Sequence, residues 1–149
     1  MKNHSGRGKH YDGMERGKDT EEESNMKTVQ TDKAPAAIGP YSQGIIANGF
    51  LFASGQIPIN PATGAIEGND ITQQAELVMK NIAEILKAAG TDYSKVVKTT
   101  CFLAEMSDFA AFNAVYEKYF VSKPARSCVA VKKLPKDVLC EVEITALAE

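Results

Sequence analysis

Short runs of apolar and β-branched residues recur along the chain and are separated by stretches that contain Gly, Pro, Asn or Asp. Runs of this length are typical of β-strands, in which successive side chains point to opposite faces of a sheet, and the separating residues favour turns. The runs that predict strands span residues 28–31, 42–47, 50–56, 96–103, 126–131 and 138–144. The sequence therefore indicates six short strands.

Between these strands, a longer stretch repeats its apolar residues at helical spacing. The helix is predicted to begin near Asp70, whose carboxylate is placed to accept a hydrogen bond from the amide of Gln73, and to end at Gly90. Its apolar stripe contains Ala75, Val78, Met79, Ile82 and Leu86. A stripe of this kind indicates a helix with one face against a core.

A second helix is predicted to begin near Ser107 or Asp108. Its aromatic and apolar stripe contains Phe109, Phe112, Val115, Tyr116 and Tyr119. We interpret this stripe as core packing rather than as a cofactor contact, because helical spacing alone is typical of a buried face. Asn113 lies between the apolar positions and is either an amide on the helix surface or a ligand contact.

The dipeptide Asn48-Gly49 separates the second and third strands and predicts a hairpin, because a type I′ turn needs positive φ at both of its central positions. The third strand ends in Ser54, Gly55 and Gln56. A glycine there allows another group to approach the backbone closely. A bulge or a plain strand end explains the glycine equally well.

The last two strands are predicted to form a second hairpin through a turn that contains Pro135. Each strand carries a charged residue among apolar ones, Arg126 in the first and Glu141 in the second. We expect both to lie on the same side of the sheet, available to a ligand or a neighbouring subunit. The alternative is a solvent-exposed strand face with a weak ion pair.

The predicted order of elements is β-β-β-α-β-α-β-β, which favours an α+β fold with a mixed sheet and both helices on one of its faces. The other face is then left uncovered. We expect Cys128, Ala130 and Leu139 to lie there, which would make the open face partly apolar. Such a face favours self-association into a symmetric oligomer.

The chain of 149 residues is long enough for one domain with a substantial core, and its composition is ordinary, with 44% hydrophobic and 24% charged residues. Residues 1–25 contain almost no apolar side chain, and their Lys, Arg and Gly residues are followed by acidic ones. Burial there cannot offset the entropy of ordering. We therefore interpret 1–25 as a flexible extension, native or artificially added, and 26–149 as a single domain.

The formal net charge of −2 argues against a general binder of nucleic acid or of anionic membranes. No apolar run has the length of a transmembrane helix, and residues 1–25 lack the apolar centre of a signal peptide. We therefore expect a cytoplasmic protein.

The two histidines, His4 and His10, lie in the extension. Without them the domain has no imidazole, which disfavours Ser-His and Cys-His nucleophiles and His-ligated metal sites. The three cysteines, Cys101, Cys128 and Cys140, show no CxxC spacing, and their odd number suits reduced thiols rather than a disulfide framework.

Six motifs, taken in order along the chain, resemble the reactive intermediate deaminase family, also called the YjgF/UK114 family. They span residues 35–41, 54–58, 97–100, 108–113, 124–128 and 134–137, the last followed by Glu141. The resemblance covers residues 27–149 and leaves the extension unexplained.

This resemblance implies a chorismate-mutase-like α+β fold that assembles as a homotrimer, with a central barrel of sheets and three sites in the clefts between subunits. It also implies hydrolysis of 2-iminobutanoate and 2-iminopropanoate, which are reactive imine products of pyridoxal-phosphate dehydratases, to 2-oxo acids and ammonia. Neither a metal nor an organic cofactor is expected. The partners implied are therefore a small imino or oxo acid and further copies of the chain.

The resemblance also implies roles for individual residues. Arg126 would hold the substrate carboxylate, for which a planar guanidinium is suited because it donates to two oxygens at once. Cys128 would donate its backbone amide to the same carboxylate, and Glu141 would orient the attacking water with the help of the Gly55 carbonyl. The further lining positions are Tyr41, Ser54, Asn113 and, as an apolar wall, Phe109.

Two alternatives stay open from the sequence. Members of the family have also been described as translation inhibitors or endoribonucleases, but the net charge, the lack of histidine in the domain and the lack of interleaved aromatic and basic residues make an RNA-directed role a weaker hypothesis. The other alternative is a non-catalytic trimeric protein that binds small ligands in the same clefts.

Overall fold

A computed structural model describes residues 25–149, so the predicted extension lies outside the described residues apart from Asn25. The strands are β1 (Met26–Val29), β2 (Gly44–Ala47), β3 (Phe50–Gln56), β4 (Val96–Leu103), β5 (Ala125–Ala130) and β6 (Cys140–Leu147), and the helices are α1 (Ile71–Ala88) and α2 (Phe109–Tyr119). The predicted order of elements is confirmed, and β3 and β4 have their predicted bounds.

The strands form one mixed sheet in the order β1-β2-β3-β6-β4-β5. All neighbours are antiparallel except β4 and β5, which are parallel. Parallel neighbours need a crossover connection, and α2 supplies it between β4 and β5. The predicted hairpin of the last two strands is therefore wrong, because β4 lies between β5 and β6.

The two helices pack on the same face of the sheet and share one core cluster with it. On β6, every second residue is buried under the helices: Cys140, Val142, Ile144 and Ala146. The α+β interpretation is therefore confirmed at the level of the sheet and its helix layer. No helix within residues 25–149 combines the length and apolar character that crossing a bilayer requires.

The local signals at α1 and at the first hairpin act as predicted. The Asp70 side chain accepts a hydrogen bond of 2.9 Å from the amide of Gln73, and Gly90 follows the end of α1 with φ of 77°. In the turn between β2 and β3, Asn48 and Gly49 have φ of 50° and 77°. Positive φ at both positions is what a type I′ turn requires.

The pairing of β4 determines which face each C-terminal side chain occupies. Thr99 of β4, which is fully buried, pairs with Arg126, whereas Phe102 pairs with Glu141. Because residues three apart in a strand face opposite ways, Arg126 lies on the helix face and Glu141 on the open face. The expectation that they share one side of the sheet is wrong, and it failed with the hairpin from which it was derived.

The apolar part of the open face also differs from the prediction. Cys128 and Leu139 pack against the core cluster instead, and Ala130 pairs with the buried Leu103, which places it on the helix face. The exposed apolar residues of the open face include Phe50, Phe52, Val129 and Leu147, which are 37–50% exposed. The open face is therefore partly apolar, as expected, but through other residues.

Replacing Asp70 by Ala removes the side-chain acceptor at the start of α1. We expect the Asp70→Ala variant to lose about 0.5–2 kcal/mol of unfolding free energy, measured by urea denaturation. Asp70→Asn keeps an acceptor at the same position and is the matched control. Equal stability of the Ala variant and the parent would contradict this account of the helix start.

Candidate active site

Arg126 of β5 lies on the helix face against α2. Its Nη1 donates a hydrogen bond of 2.7 Å to Oδ1 of Asn113. Its Cζ lies 4.6 Å from the ring centroid of Tyr116 and 5.5 Å from that of Phe109. A guanidinium held over aromatic rings is stabilised by their π faces and keeps a defined plane.

The guanidinium borders a cavity of about 460 Å³. The other lining residues are Asn113, Tyr116, Glu117, Phe120, Val121, Lys123 and Pro124. Within residues 25–149 the bond to Asn113 is the only hydrogen bond of the Arg126 side chain, and no carboxylate forms an ion pair with it. Because a guanidinium has five donors, most of this hydrogen-bonding capacity is free for a ligand.

Tyr116 contacts the guanidinium of Arg126, a contact that the sequence interpretation did not predict. The helical stripe assigned it to the core, and it is indeed only 7% exposed. Its hydroxyl shares a hydrogen bond of 2.8 Å with Oγ1 of Thr99, which fixes the ring beneath Arg126. The spacing of Phe109, Asn113 and Tyr116, at i, i+4 and i+7, places all three on one side of α2. That spacing is the feature of the sequence that could have predicted the contact between Tyr116 and the Arg126 side chain.

Glu141 lines a different cavity, of 730 Å³, near the far end of β3. Tyr41, Ser54 and Gly55 of the predicted site line it as well. The remaining wall is mainly apolar, apart from four polar side chains, and consists of Pro35, Ala36, Ile38, Gln43, Gln56, Ile57, Ile59, Pro135, Lys136 and Glu143. The structure thus brings together four of the eight predicted site residues here, and Arg126, Asn113 and Phe109 at the other location.

A bulge in β3 brings the backbone of Gly55 against Glu141. Ala53 pairs with Ile144 and Gln56 with Val142, so β3 uses one more residue than β6 over this interval. A Cβ atom added at Gly55 would lie only 2.9 Å from Cδ of Glu141. Both sequence interpretations of this glycine therefore hold, because the bulge is what produces the close approach.

The Glu141 carboxyl group is half-buried, and its pKa is raised, first by burial and second by the nearby Glu143. No cation within residues 25–149 forms an ion pair with it. A carboxylate that is poorly solvated and unpaired has a higher affinity for protons. Such a group is suited to accept a proton from water and return it.

Tyr41 and Ser54 already take part in local hydrogen bonds. The Ser54 hydroxyl donates to the Ser42 carbonyl at 2.6 Å, and the Tyr41 hydroxyl accepts from the Ile38 amide at 3.3 Å. These bonds fix both side chains in the cavity wall. Tyr41 is nevertheless 54% exposed, so most of its ring is available to a further contact.

The cysteines do not have the properties of nucleophiles. Burial raises the pKa of Cys101 and of Cys140 to about 12, and burial is also the main reason that the pKa of Cys128 is raised. A thiol with a raised pKa stays protonated and unreactive near neutral pH. Within residues 25–149 no three His, Cys, Asp or Glu side chains cluster as metal ligands would.

The two half-sites, around Arg126 and around Glu141, are separated within one chain. Two strand spacings across the sheet and three residues along it place their Cα atoms about 14 Å apart, with side chains on opposite faces. A small substrate cannot contact both groups of one chain. Cys128, two residues after Arg126 in β5, belongs by position to the Arg126 half-site.

Comparison with known proteins identifies a family. The family model described as Endoribonuclease L-PSP matches residues 31–148. A Lactococcus lactis protein named "Putative regulator AldR" is 57% identical over 122 residues, 81% of this chain and 97% of the relative. The Escherichia coli K12 protein named 2-iminobutanoate/2-iminopropanoate deaminase is 46% identical over 125 residues, again 81% of this chain and 97% of the relative.

Solved structures agree with these sequence matches. Yeast Mmf1 has a TM-score of 0.79 and 42% identity, covering 83% of this chain and 99% of the yeast chain. Escherichia coli TdcF, whose structure contains bound serine, has a TM-score of 0.78 and 42% identity with the same coverage. The fold is thus shared over almost the whole length of these relatives.

The raised pKa of Glu141 gives a test that needs no ligand. Because the folded state binds this proton more tightly than the unfolded chain, the stability contribution is greatest below the unfolded pKa and is lost as the pH rises through the folded one. We expect Glu141→Gln to be at least as stable as the parent at neutral pH and to lose this advantage near pH 4. Urea denaturation across this pH range measures it.

The matched control for this test is Glu105→Gln, because Glu105 is exposed and lies outside both cavities. We expect no comparable pH-dependent gain in that variant. A Glu141→Gln variant that is less stable than the parent at neutral pH and equal at low pH would show the opposite sign and contradict the raised pKa.

Proposed function

This chain belongs to the reactive intermediate deaminase family, described in the matching family model as Endoribonuclease L-PSP, and from this premise we propose that it hydrolyses small 2-imino acids. The proposed substrates are 2-iminobutanoate and 2-iminopropanoate, and the products are 2-oxo acids and ammonia. The names of relatives at 46% identity support this substrate class. The observation that carries the proposal is the division of the site into two incomplete halves of complementary chemistry.

The Arg126 half-site is suited to binding the substrate. Its guanidinium has donors free for a carboxylate, and the bond from Nη1 to Asn113 together with the ring of Tyr116 restrains its plane. In the proposed complex the substrate carboxylate accepts two hydrogen bonds from Arg126 and one from the backbone amide of Cys128. Phe109 forms an apolar wall beside it.

The Glu141 half-site is suited to the chemical step. In the proposed reaction, water attacks the imine carbon, a C–O bond forms, and the electrons of the C=N π bond move to nitrogen. The proton leaving the water passes to Glu141, which then returns a proton to nitrogen. The hydroxyl proton of this intermediate then passes through Glu141 to nitrogen, the C–N bond breaks, ammonia leaves, and the C=O bond of the 2-oxo acid forms. The Gly55 carbonyl, with Tyr41 and Ser54 in the same wall, helps to hold the water.

We further propose that the two half-sites meet between copies of the chain, in a closed homotrimer. One chain cannot join them, because the sheet lies between Arg126 and Glu141. The open face supplies exposed apolar surface for the contact, through Phe50, Phe52, Val129 and Leu147. Burial of this surface would favour association. A cytoplasmic location and independence of metal ions and cofactors are parts of the same proposal.

Cleavage of RNA, which the description of the family model names, is less well supported by this site. The Glu141 cavity contains a second carboxylate, Glu143, and only one cation, Lys136, among its lining residues. Adjacent carboxylates repel phosphate groups. Residues 25–149 contain no histidine, so this described part of the chain supplies no imidazole to either half-site.

Removing the guanidinium tests the carboxylate clamp. We expect Arg126→Ala to abolish measurable ammonia release from freshly generated 2-iminobutanoate, because two charge-assisted hydrogen bonds of about 1.5–3 kcal/mol each are lost. Arg126→Lys keeps the charge without the planar fork and is expected to recover only a small part of the rate. Parental activity in the Ala variant would refute the clamp, and a parent without ammonia release would instead indicate a binding protein.

Mixing two inactive variants tests whether the site is shared. We expect Glu141→Gln to fold normally and to turn over slowly. When Arg126→Ala and Glu141→Gln chains are refolded together in equal amounts, about one interface in four pairs an intact Arg126 with an intact Glu141. Activity should therefore rise to roughly a quarter of the parental value. Each variant refolded alone is the control, and a mixture no more active than the controls would place both groups in one chain.

A further inference from the structure

The bulge beside Glu141 is held from both sides by hydrogen bonds. On one side, the Ser54 amide donates to the Gln43 carbonyl at 2.9 Å and the Ser54 hydroxyl to the Ser42 carbonyl at 2.6 Å. On the other, Nε2 of Gln56 donates to the Ser54 carbonyl at 3.1 Å and lies 3.5 Å from the Gly55 carbonyl oxygen. The Gln56 side chain thus binds the peptide groups of the two residues that face the cavity.

Gln56 does not itself face Glu141. It pairs with the buried Val142 and is only 5% exposed, so its side chain lies on the helix face of the sheet. Gln56 is nevertheless among the residues that line the cavity, and its side-chain amide contacts the carbonyls of two neighbouring lining residues, Ser54 and Gly55. The orientation of its amide is defined by these contacts, because the reverse orientation would set Oε1 against two carbonyl oxygens.

The same amide is poorly suited to a purely stabilising role. Within residues 25–149, Oε1 of Gln56 is the buried side-chain acceptor without a hydrogen-bond partner. A buried acceptor left unpaired lowers stability, whereas an apolar side chain of the same shape would not carry this penalty. The benefit of an amide at this position therefore has to come from the orientation of the carbonyls that it binds.

We propose that Gln56 is a positioning residue for the proposed hydrolysis, which it serves by fixing the Ser54 and Gly55 carbonyls beside Glu141. The inference rests on the proposed function of the Glu141 half-site. Gly55 approaches Glu141 so closely that a Cβ would lie 2.9 Å from its Cδ. A rotation of this peptide would therefore displace the carboxylate, the water-holding carbonyl, or both.

The test is Gln56→Met, which keeps the length and approximate volume of the side chain and removes both the donor and the unpaired acceptor. We expect kcat for 2-iminobutanoate hydrolysis to fall about tenfold or more, because a misplaced reacting group costs rate. We expect KM to change less than about twofold, because the carboxylate is bound in the other half-site. The melting temperature should change little, because the removal of the unpaired acceptor offsets the loss of the hydrogen bonds that Nε2 donates.

A second variant, Gln56→Glu, keeps the size of the side chain and makes the donor depend on pH. A protonated carboxyl group there can donate to one of the carbonyls, whereas the ionised form repels both. We therefore expect the activity of this variant, relative to the parent, to decrease as the pH rises. This profile decides the question if Gln56→Met does not fold.

Each result separates this inference from the proposed function. An active parent with an equally active Gln56→Met variant overturns the role of Gln56 alone. So does a variant that loses thermal stability while its folded fraction keeps the parental kcat, or one in which only KM changes. A parent that releases no ammonia overturns the proposed hydrolysis, and the role of Gln56 with it.

Discussion

The pairing of β4 with both β5 and β6 is the constraint on which the rest of the site depends. The crossover through α2 sets β5 parallel to β4 at the edge of the sheet, and β6 occupies the other side of β4. Because side chains alternate along each strand, this register determines that Arg126 lies on the helix face and Glu141 on the open face. A shift of one residue in β5 would move Arg126 to the open face, and a shift of one residue in β6 would move Glu141 to the helix face and expose the apolar side of β6.

Each half-site contains a charged group in a partly apolar environment that forms no ion pair within residues 25–149. The guanidinium of Arg126 contacts two aromatic rings and an amide, while Glu141 is half-buried next to a glycine and another carboxylate. A partly buried charge without an ion-pair partner lowers the stability of the fold. The ion pairs within residues 25–149 join other side chains, Glu76 with Lys118 and Lys133 with Asp137. The arrangement favours a ligand that offers an anionic group to one half and a polarised, water-accessible carbon to the other.

Most of the local structure could be predicted from the sequence, because the spacing of apolar residues, the helix-capping residues and the turn residues each determine structure over a few positions. The cap at Asp70, the turn at Asn48-Gly49 and the bounds of β4 are examples. The pairing of strands that are distant in the sequence could not be predicted in this way. The run from 126 to 144 resembles a hairpin locally. The strands are separated because the crossover through α2 sets β5 on one side of β4, while β6 pairs with the other side. Arg126 and Glu141 were therefore assigned to the correct strands and to the wrong relative faces.

The contribution of Tyr116 and Gln56 was hidden from the sequence for a related reason. Both side chains are buried as core residues are. Each contacts a site residue whose proximity the pattern of apolar and polar positions in the sequence could not predict. Tyr116 supports Arg126 across the space between α2 and β5, and Gln56 holds a bulge whose existence depends on pairing with β6. A core position that carries a polar group is informative because burial without a partner is costly. In this fold, two such positions, Tyr116 and Gln56, lie directly behind the two half-sites.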